Sequence, residues 1–445
     1  MKKTNFYKKL IALAVPIILQ QLIAASLNLV DNLMIGQLGE ESIASVGIAN
    51  QVYFIVILFI FGITGGASIF FAQFWGKKDL DSIHKTLGVA LMLTLISSAA
   101  FTLAAAAFPR FVIGIFSADP AVIEAGSQYI SIAALSYIPY AISSVFFAVF
   151  RSTGRPRIPL FTSAIALALN TLLNYMLILG NFGMPALGVR GAAIATLTAR
   201  LVEVTIILLI AYNGKNHLGA KITELFSFSR LFFKKLMSKM TLVILNDGIW
   251  GLGTAGYTIM YARMGTGVIA AMTIANTLFN FLFIFALGIG SGLAIMVGNS
   301  LGADKFDQAK RYAHKGIIAA ALTGVFVALV MLVFRDIILS LYSIQEDVLQ
   351  NAKDVTNILM LILPVICIEF TLFIGVLRSG GDTLYCAVVD LSALFFVGLP
   401  LALVGAFVFH WPLPIVYLLA RSETIVRAVA SFIRYKTNIW VKNVT

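Results

Sequence analysis

An all-α polytopic membrane protein is the fold class the sequence predicts: twelve transmembrane helices in two parallel-repeat six-helix lobes around a central cavity. Three observations predict it. The 445 residues are 60% hydrophobic and only 12% charged, roughly half the charge of a soluble chain, and the mean hydropathy is +0.95. The apolar residues gather into runs long enough to cross a bilayer as helices, too long for the period-two strands of a membrane barrel. A pattern of Gly, Ile, Asn and Asp residues also returns 226 positions later in the chain.

Charged or Gly/Pro-rich breaks divide the runs. They fall at 11–35, 44–75, 86–108, 127–150, 159–181 and 188–212 in the first half. The second half has 237–263, 268–301, 312–334, 354–377, 384–409 and 412–434. The second and eighth are the long ones, suited to tilting or projecting beyond the hydrocarbon. The first run follows a short lysine-rich start that resembles a secretion signal. It continues too far, carries Asp31 and has no clear cleavage site, so it reads as a retained helix. Pro16 within it removes one backbone hydrogen bond and is placed to bend it.

Charge sets the orientation. Lysines and arginines crowd the N-terminus, the loop from Gly76 to Lys85, the segment Arg151–Arg157, the 213–240 stretch and the 302–315 loop. The alternate loops are poor in them. By the positive-inside rule both termini are cytoplasmic and the chain is multi-pass in the cell membrane. The net charge of +12 therefore reads as membrane orientation, with no nucleic-acid partner implied. Two cysteines, Cys367 and Cys386, lie inside apolar runs and imply no disulfide framework.

The repeat is ordered and crosses loops. Leu38-Gly39, Ile48-Ala49-Asn50, Gly62, Gly66, Gly76 and Asp81 return as Met264-Gly265, Ile274-Ala275-Asn276, Gly288, Gly292, Gly302 and Asp307. Arg151-Ser152-Thr153-Gly154 returns as Arg378-Ser379-Gly380-Gly381. Six helices separate the copies, so both halves enter the membrane from the same side. The expected lobes are 1–212 and 237–445, joined by a cytoplasmic linker at 213–236. The clustered glycines Gly62, Gly65, Gly66, Gly288, Gly290 and Gly292 read first as close helix packing.

Polar residues inside the runs are the functional candidates. Asp31 is a carboxylate within a membrane helix, a costly placement that marks ion or proton handling by default. At helical spacing Gln21, Asn28 and Asn32 form a stripe beside it. Asn170 and Asn174 share a face of helix 5 and offer amide oxygens to a cation or hydrogen bonds to Asp31; judged alone, the pair reads equally as interhelical glue. Arg200 and Glu203 on helix 6 read as a structural ion pair. In the second half Asn246 and Asp247 lie on helix 7, Asn276 on helix 8, Glu369 on helix 10 and Asp390 on helix 11. Tyr137, Tyr140, Trp250, Tyr257, Met260 and Phe279 suit flat organic cations if they line a cavity.

Enzyme motifs are missing from the sequence. It has no phosphate-binding loop ending in Lys-Ser or Lys-Thr, no His-Glu-x-x-His and no Gly-x-Ser-x-Gly. No cofactor is expected beyond H⁺ or Na⁺ as coupling ion, and Na⁺ is the one metal considered.

Val30-Asp31-Asn32 with Gly36 and Leu38-Gly39, the paired Arg151…Gly154 and Arg378…Thr383, and Asn170…Asn174-Tyr175 running into Gly183-Met184-Pro185, Gly188 and Gly191-Ala192-Ala193 together resemble the multidrug and toxic compound extrusion (MATE) family. The resemblance covers all twelve helices. It implies H⁺- or Na⁺-driven antiport of diverse, often cationic and aromatic, compounds by alternating access. It also places the family's first-helix acid on Asp31 and its helix 5 pair on Asn170 and Asn174. Where some branches carry an acid, this chain has Asn174, which makes the site less anionic. Asp247 and Glu369 occupy the helices in which members carry second-lobe acids, and the Asn-acid-x-x-Trp arrangement around Asp247 resembles a bacterial subgroup. A monomer without an obligate protein partner is expected, acting on small organic substrates. The alternatives are a lipid-linked precursor flippase, an intramembrane enzyme and a channel.

Overall fold

The computed structural model describes residues 5–213, 218–340 and 345–445. Among these residues the chain is helical throughout, without strands. The first half comprises α1 (Phe6–Gly36), α2 (Glu40–Lys77), α3 (Leu80–Ala107), α4 (Pro120–Ser152), α5 (Arg157–Leu179) and α6 (Val189–Tyr212). The second comprises α7 (Arg230–Met264), α8 (Thr266–Gly302), α9 (Phe306–Leu339), α10 (Glu346–Arg378) and α11 (Thr383–Phe407). The last helix, α12, runs over Leu413–Ala420 and Ser422–Lys436 with a break at Arg421. Ten of these, all but α7 and α12, are long and apolar enough to cross a membrane. The protein is a polytopic helical membrane protein, as its sequence predicts.

Helix ends run beyond the apolar runs because their charges suit the helix dipole. Glu40 and Glu41 occupy the first turn of α2 and Lys77 its last. Asp79 caps α3, its carboxylate accepting from Ser82 N. Likewise α7 starts within the stretch read as linker, where Ser229 Oγ accepts from Phe232 N at 3.1 Å. A short helix, Ile222–Leu225, lies in the same stretch. Despite Pro16, α1 stays one helix.

The chain forms two compact units. Unit I is Leu19–Phe71 with Asp79–Ile244; unit II is Met1–Ile18, Ala72–Lys78 and Leu245–Thr445. Unit I is centred on Ile35, Val56, Ile60, Ile130, Tyr137 and Ile178. Unit II has one core around Met260, Leu278, Leu359, Leu363 and Tyr417. Another gathers Phe6, Leu10 and Ile17 with Leu293, Met296, Leu377 and Trp440. Three of the unit boundaries fall inside α1, α2 and α7, and the fourth falls in the turn between α2 and α3.

Glycines explain those boundaries. In unit II a Cβ on Gly288 would lie 2.2 Å from Ile18 Cγ1, and one on Gly292 3.3 Å from Ala14 Cβ. In unit I a Cβ on Gly62 would lie 2.8 Å from Ile244 Cα, and one on Gly66 2.9 Å from Met240 Cα. Ile18 and Ile244, and Ala14 and Met240, are themselves 226 residues apart. So α1 lies on α8 as α7 lies on α2, and the sequence repeat is also a packing repeat. The ends of α2 and α8 cross with the same reciprocity inside unit II. A Cβ on Gly76 would come 2.1 Å from Asn299 O, and one on Gly302 1.8 Å from Gln73 O. Ala72 meets its own repeat mate, Gly298, where an added Cβ would lie 2.7 Å from Ala72 Cβ. Even the turns after the two helices agree: Lys78 and Asp304 take φ of 64° and 57°.

Backbone contact at this crossing tolerates no methyl group. Gly302→Ala is expected to destabilise the protein by roughly 1–3 kcal/mol, the cost of overpacking, seen as a lower thermal midpoint in detergent. Gly47→Ala, with nothing within 4 Å of its Cβ position, should leave the midpoint unchanged or slightly higher.

Candidate functional site

Unit I holds a buried polar chain centred on the acid of α1. Asn174 Nδ2 donates to Asp31 Oδ1 at 2.5 Å and to Asn170 Oδ1 at 3.0 Å. Asn170 Nδ2 in turn reaches Thr196 Oγ1 on α6 at 3.4 Å. Asn170 and Asn174 are fully buried, while Asp31 is half-buried. The four-residue spacing on α5 places both amides on one face, so α5 presents a ladder along which Asp31 is the last rung. Among the described residues, the buried Asn174 Oδ1 has no hydrogen-bond partner. An orphaned acceptor next to a carboxylate is a place where a proton or a small cation gains ligands.

One helical turn beyond Thr196 stands Arg200. Its guanidinium pairs with Glu203 at 2.8 Å, lies 4.8 Å from the Tyr140 ring and approaches Tyr53 Oη at 3.5 Å. Tyr53 stacks on Tyr137, centroids 5.6 Å apart. Glu203 is buried and also accepts from Ser163 Oγ, which itself accepts from Gln20 Nε2 at 3.1 Å. Arg200's positive charge also acts on Asp31. Buried ionised groups persist only when matched by charge and hydrogen bonds together, and here Arg200 and Glu203 of α6 draw their further partners from α1, α2, α4 and α5.

Unit II holds a second network, richer in charge. Arg378 Nη2 bonds Asp247 Oδ1 at 2.7 Å. Arg427 Nη1 bonds Asp390 Oδ1 at 2.6 Å, its Nη2 reaches Glu423 at 3.3 Å, and its Nε lies 3.8 Å from Glu369. Asn246 Nδ2 joins the two groups by donating to Asp247 and Asp390, and Tyr257 Oη donates to Glu423 Oε2 at 2.9 Å. That last contact needs Gly398, whose Cβ would sit 2.2 Å from Tyr257 Oη. Two of the four helices that carry this network, α10 and α11, widen locally. Thr371–Arg378 in α10 and Leu394–Gly398 in α11 form π-helical turns, a common device for re-aiming side chains at functional positions.

The structure thus gathers Asp31 with Asn170 and Asn174, and Asp247 with Asn246, Glu369 and Tyr257. The pair Arg200–Glu203 forms as expected. The stripe proposed on α1 lies differently. Gln20 and Asp31, eleven residues and three turns apart, turn inward, while Asn32 is exposed and Gln21 half-buried. The Asn28 side chain lies outside the described residues. Asn276 is on an exposed face of α8, away from the unit II network. Tyr137 and Met260 are core residues, 2% exposed each. Trp250 and Phe279 are half-buried, and Arg421 lies 4.5 Å from the Phe279 ring.

Sequence reasoning passed over Tyr53, Thr196, Ser163, Glu423 and Arg427. The repeat contained the missing signal. Arg427 follows Arg200 by the same 227 residues that separate Arg378 from Arg151, and Asp390 stands to Ser163 in the same way. Each half therefore places an arginine at one equivalent position of its sixth helix.

The MatE family profile matches residues 16–176 and 252–404, most of the chain. A probable multidrug resistance protein NorM from Bacillus cereus is 27% identical, with 92% of each chain covered. An uncharacterized transporter, YisQ of Bacillus subtilis, is 23% identical over 97% of this chain and 95% of its own. Among solved structures, the Vibrio cholerae MATE transporter VcmN superposes with a TM-score of 0.89 at 20% identity, covering 99% of this chain and 98% of its own. A MOP superfamily transporter from Pyrococcus furiosus superposes with a TM-score of 0.88 at 18% identity, covering 98% and 96%.

Arg427 is the common partner of three carboxylates. Arg427→Met leaves Asp390 and Glu423 buried without a counter-charge. It is expected to destabilise the protein by about 3–5 kcal/mol, measured as thermal unfolding in detergent. Adding Asp390→Asn should recover part of that loss, a non-additivity that a double-mutant cycle reads directly.

Proposed function

The chain belongs to the MatE family of membrane transporters, and on that basis we propose that it exports small organic compounds across the cell membrane in exchange for H⁺ or Na⁺. The Asp31–Asn174–Asn170 ladder carries this reading. It places one half-buried carboxylate beside an amide oxygen, Asn174 Oδ1, that has no partner among the described residues. Asp31 would take the proton, or share Na⁺ with the amide oxygens, which are the hard ligands such an ion prefers.

Coupling follows from charge balance. Ionised, Asp31 needs the Asn174 amide and the nearby Arg200 charge to offset its burial. Neutralised by an ion, it needs them less, so ion binding favours a different arrangement of α1 against α5 and α6. A substrate that binds one arrangement more tightly than the other is then linked to the ion by equal and opposite coupling free energies. Trp250, half-buried on α7, offers an aromatic face suited to a flat cation. With the termini on the cytoplasmic side, as the distribution of Lys and Arg supports, export would run away from the face bearing both chain ends.

A lipid-linked pyrophosphate cargo would call for basic groups free to meet it. Arg200, Arg378 and Arg427 are instead engaged by Glu203, Asp247 and Asp390.

In proteoliposomes, efflux of a fluorescent organic cation should respond to an imposed pH gradient or to a Na⁺ gradient, and the responding gradient names the ion. Asp31→Asn should reduce that response to the level of protein-free liposomes. Asn174→Ala should weaken the apparent ion affinity about 10-fold or more, the worth of a hydrogen bond to a charged group. Gradient-driven efflux at the unmutated rate in a folded Asp31→Asn protein would remove Asp31 from the mechanism.

A further inference from the structure

The last residues of the chain pack onto the place where α2 and α8 cross. Trp440 is fully buried in the unit II core with Phe6, Leu10 and Leu377, and its indole N–H donates to Tyr435 O at 3.1 Å. Its carbonyl lies over the end of α10, where a Cβ on Gly380 would be 1.9 Å from Trp440 O. Beyond it the chain is held by one side chain, Gln73 of α2, which is fully buried. Gln73 Nε2 donates to Ser379 O at 2.8 Å and to Lys442 O at 3.4 Å, and its Oε1 accepts from Val444 N at 2.8 Å. Asn443 Nδ2 adds a bond to Asp304 in the turn after α8, at 2.7 Å.

Gln73 therefore uses both ends of its amide to clamp three backbone groups. It does so at the residue whose own carbonyl meets Gly302 in the α2–α8 crossing. Most of α2 lies in unit I, and only its end, Ala72–Lys78, lies in unit II. The clamp thus ties the end of α2 to the ends of α8 and α10 within unit II.

We propose that Trp440–Thr445 is a strap that fastens the end of α2 to the ends of α8 and α10, and that it releases when this end of the protein opens. Its construction suits reversible release. Beyond the Trp440 side chain the strap holds by backbone bonds to one glutamine, by one exposed Asn–Asp contact and by small apolar contacts of Val441 with the core and Val444 with Gly381, so Lys442–Thr445 can part without exposing a large apolar surface. The contacts beneath it are glycine on backbone, which separate without side chains having to disengage.

The test uses the full chain with Cys367 and Cys386 replaced by Ala and with Ser379→Cys as a reporter, since Ser379 is 4% exposed under the strap. Labelling by a soluble maleimide in proteoliposomes should be slow at rest. It should rise 10-fold or more when the clamp is removed, either by Gln73→Leu or by deleting Lys442–Thr445. It should rise again in the unaltered clamp when an organic cation and an ion gradient are supplied together. Only this last arm rests on the transport reading; the clamp variants decide the strap whether or not transport occurs. Resting-rate labelling in both clamp variants, with each eluting as a monodisperse protein, would overturn the proposal. If both variants fail to fold, labelling of the unaltered clamp that stays at the resting rate while efflux is observed overturns it equally.

Discussion

Helix backbones in this protein touch, and the rest of the structure depends on that. Hydrocarbon gives no hydrophobic drive for one apolar helix to prefer another over lipid, so close van der Waals contact has to hold the helices together. Glycine supplies it at Gly62, Gly66, Gly76 and Gly302, where an added Cβ would lie within 3.0 Å of another helix's backbone, and at Gly288 and Gly292, which face the Ile18 side chain and Ala14. Because these contacts come in pairs 226 residues apart, the start of α1 is seated on α8 and the start of α7 on α2. Each of those helices consequently belongs to one compact unit at its beginning and to the other at its end.

That seating has a consequence for charge. The later part of α1 lies in unit I, where Asp31 meets Asn174 of α5. The later part of α7 lies in unit II, where Asp247 meets Arg378 of α10. The two halves then treat their carboxylates differently. In unit I the ladder leaves an amide oxygen over and the acid is held by a neutral donor. In unit II two arginines bind most of the negative charge directly, with Arg427 shared among Asp390, Glu423 and Glu369. A carboxylate held by an amide can exchange a mobile cation more readily than one held by a guanidinium, which is a fixed cation. This asymmetry on a common frame supports assigning ion exchange to the Asp31 side.

The repeat is accordingly stricter in the backbone than in the chemistry. Ala14 and Met240 share a packing position without sharing a side chain, and Lys78 and Asp304 share a left-handed turn. Arg200 and Arg427 share a helix position but differ in partners: one carboxylate and a group of tyrosines for the first, three carboxylates for the second. Duplicated packing with diverged polar residues gives two equivalent frames and one of them free to specialise.

By itself the sequence determined the membrane class and the repeat, and it singled out Asp31, Asn170, Asn174, Asp247 and Glu369 as polar residues within apolar runs, which the fold gathers into two networks. Each rests on a strong local rule: about twenty apolar residues span a bilayer, and an acid within such a run needs a reason. Tertiary structure alone decided which face of α1 turns inward. One residue of shift rotates a helix by about 100°, and the pattern of apolar residues around α1 is too even to choose between Gln20 and Gln21. It also decided that Arg427 collects three carboxylates, and that Gln73 meets Val444, residues far apart in the chain whose meeting no spacing encodes. Hydropathy and helical period act along the chain and can be read from it. Charge matching and backbone approach act across helices, and they exist only once the helices are packed.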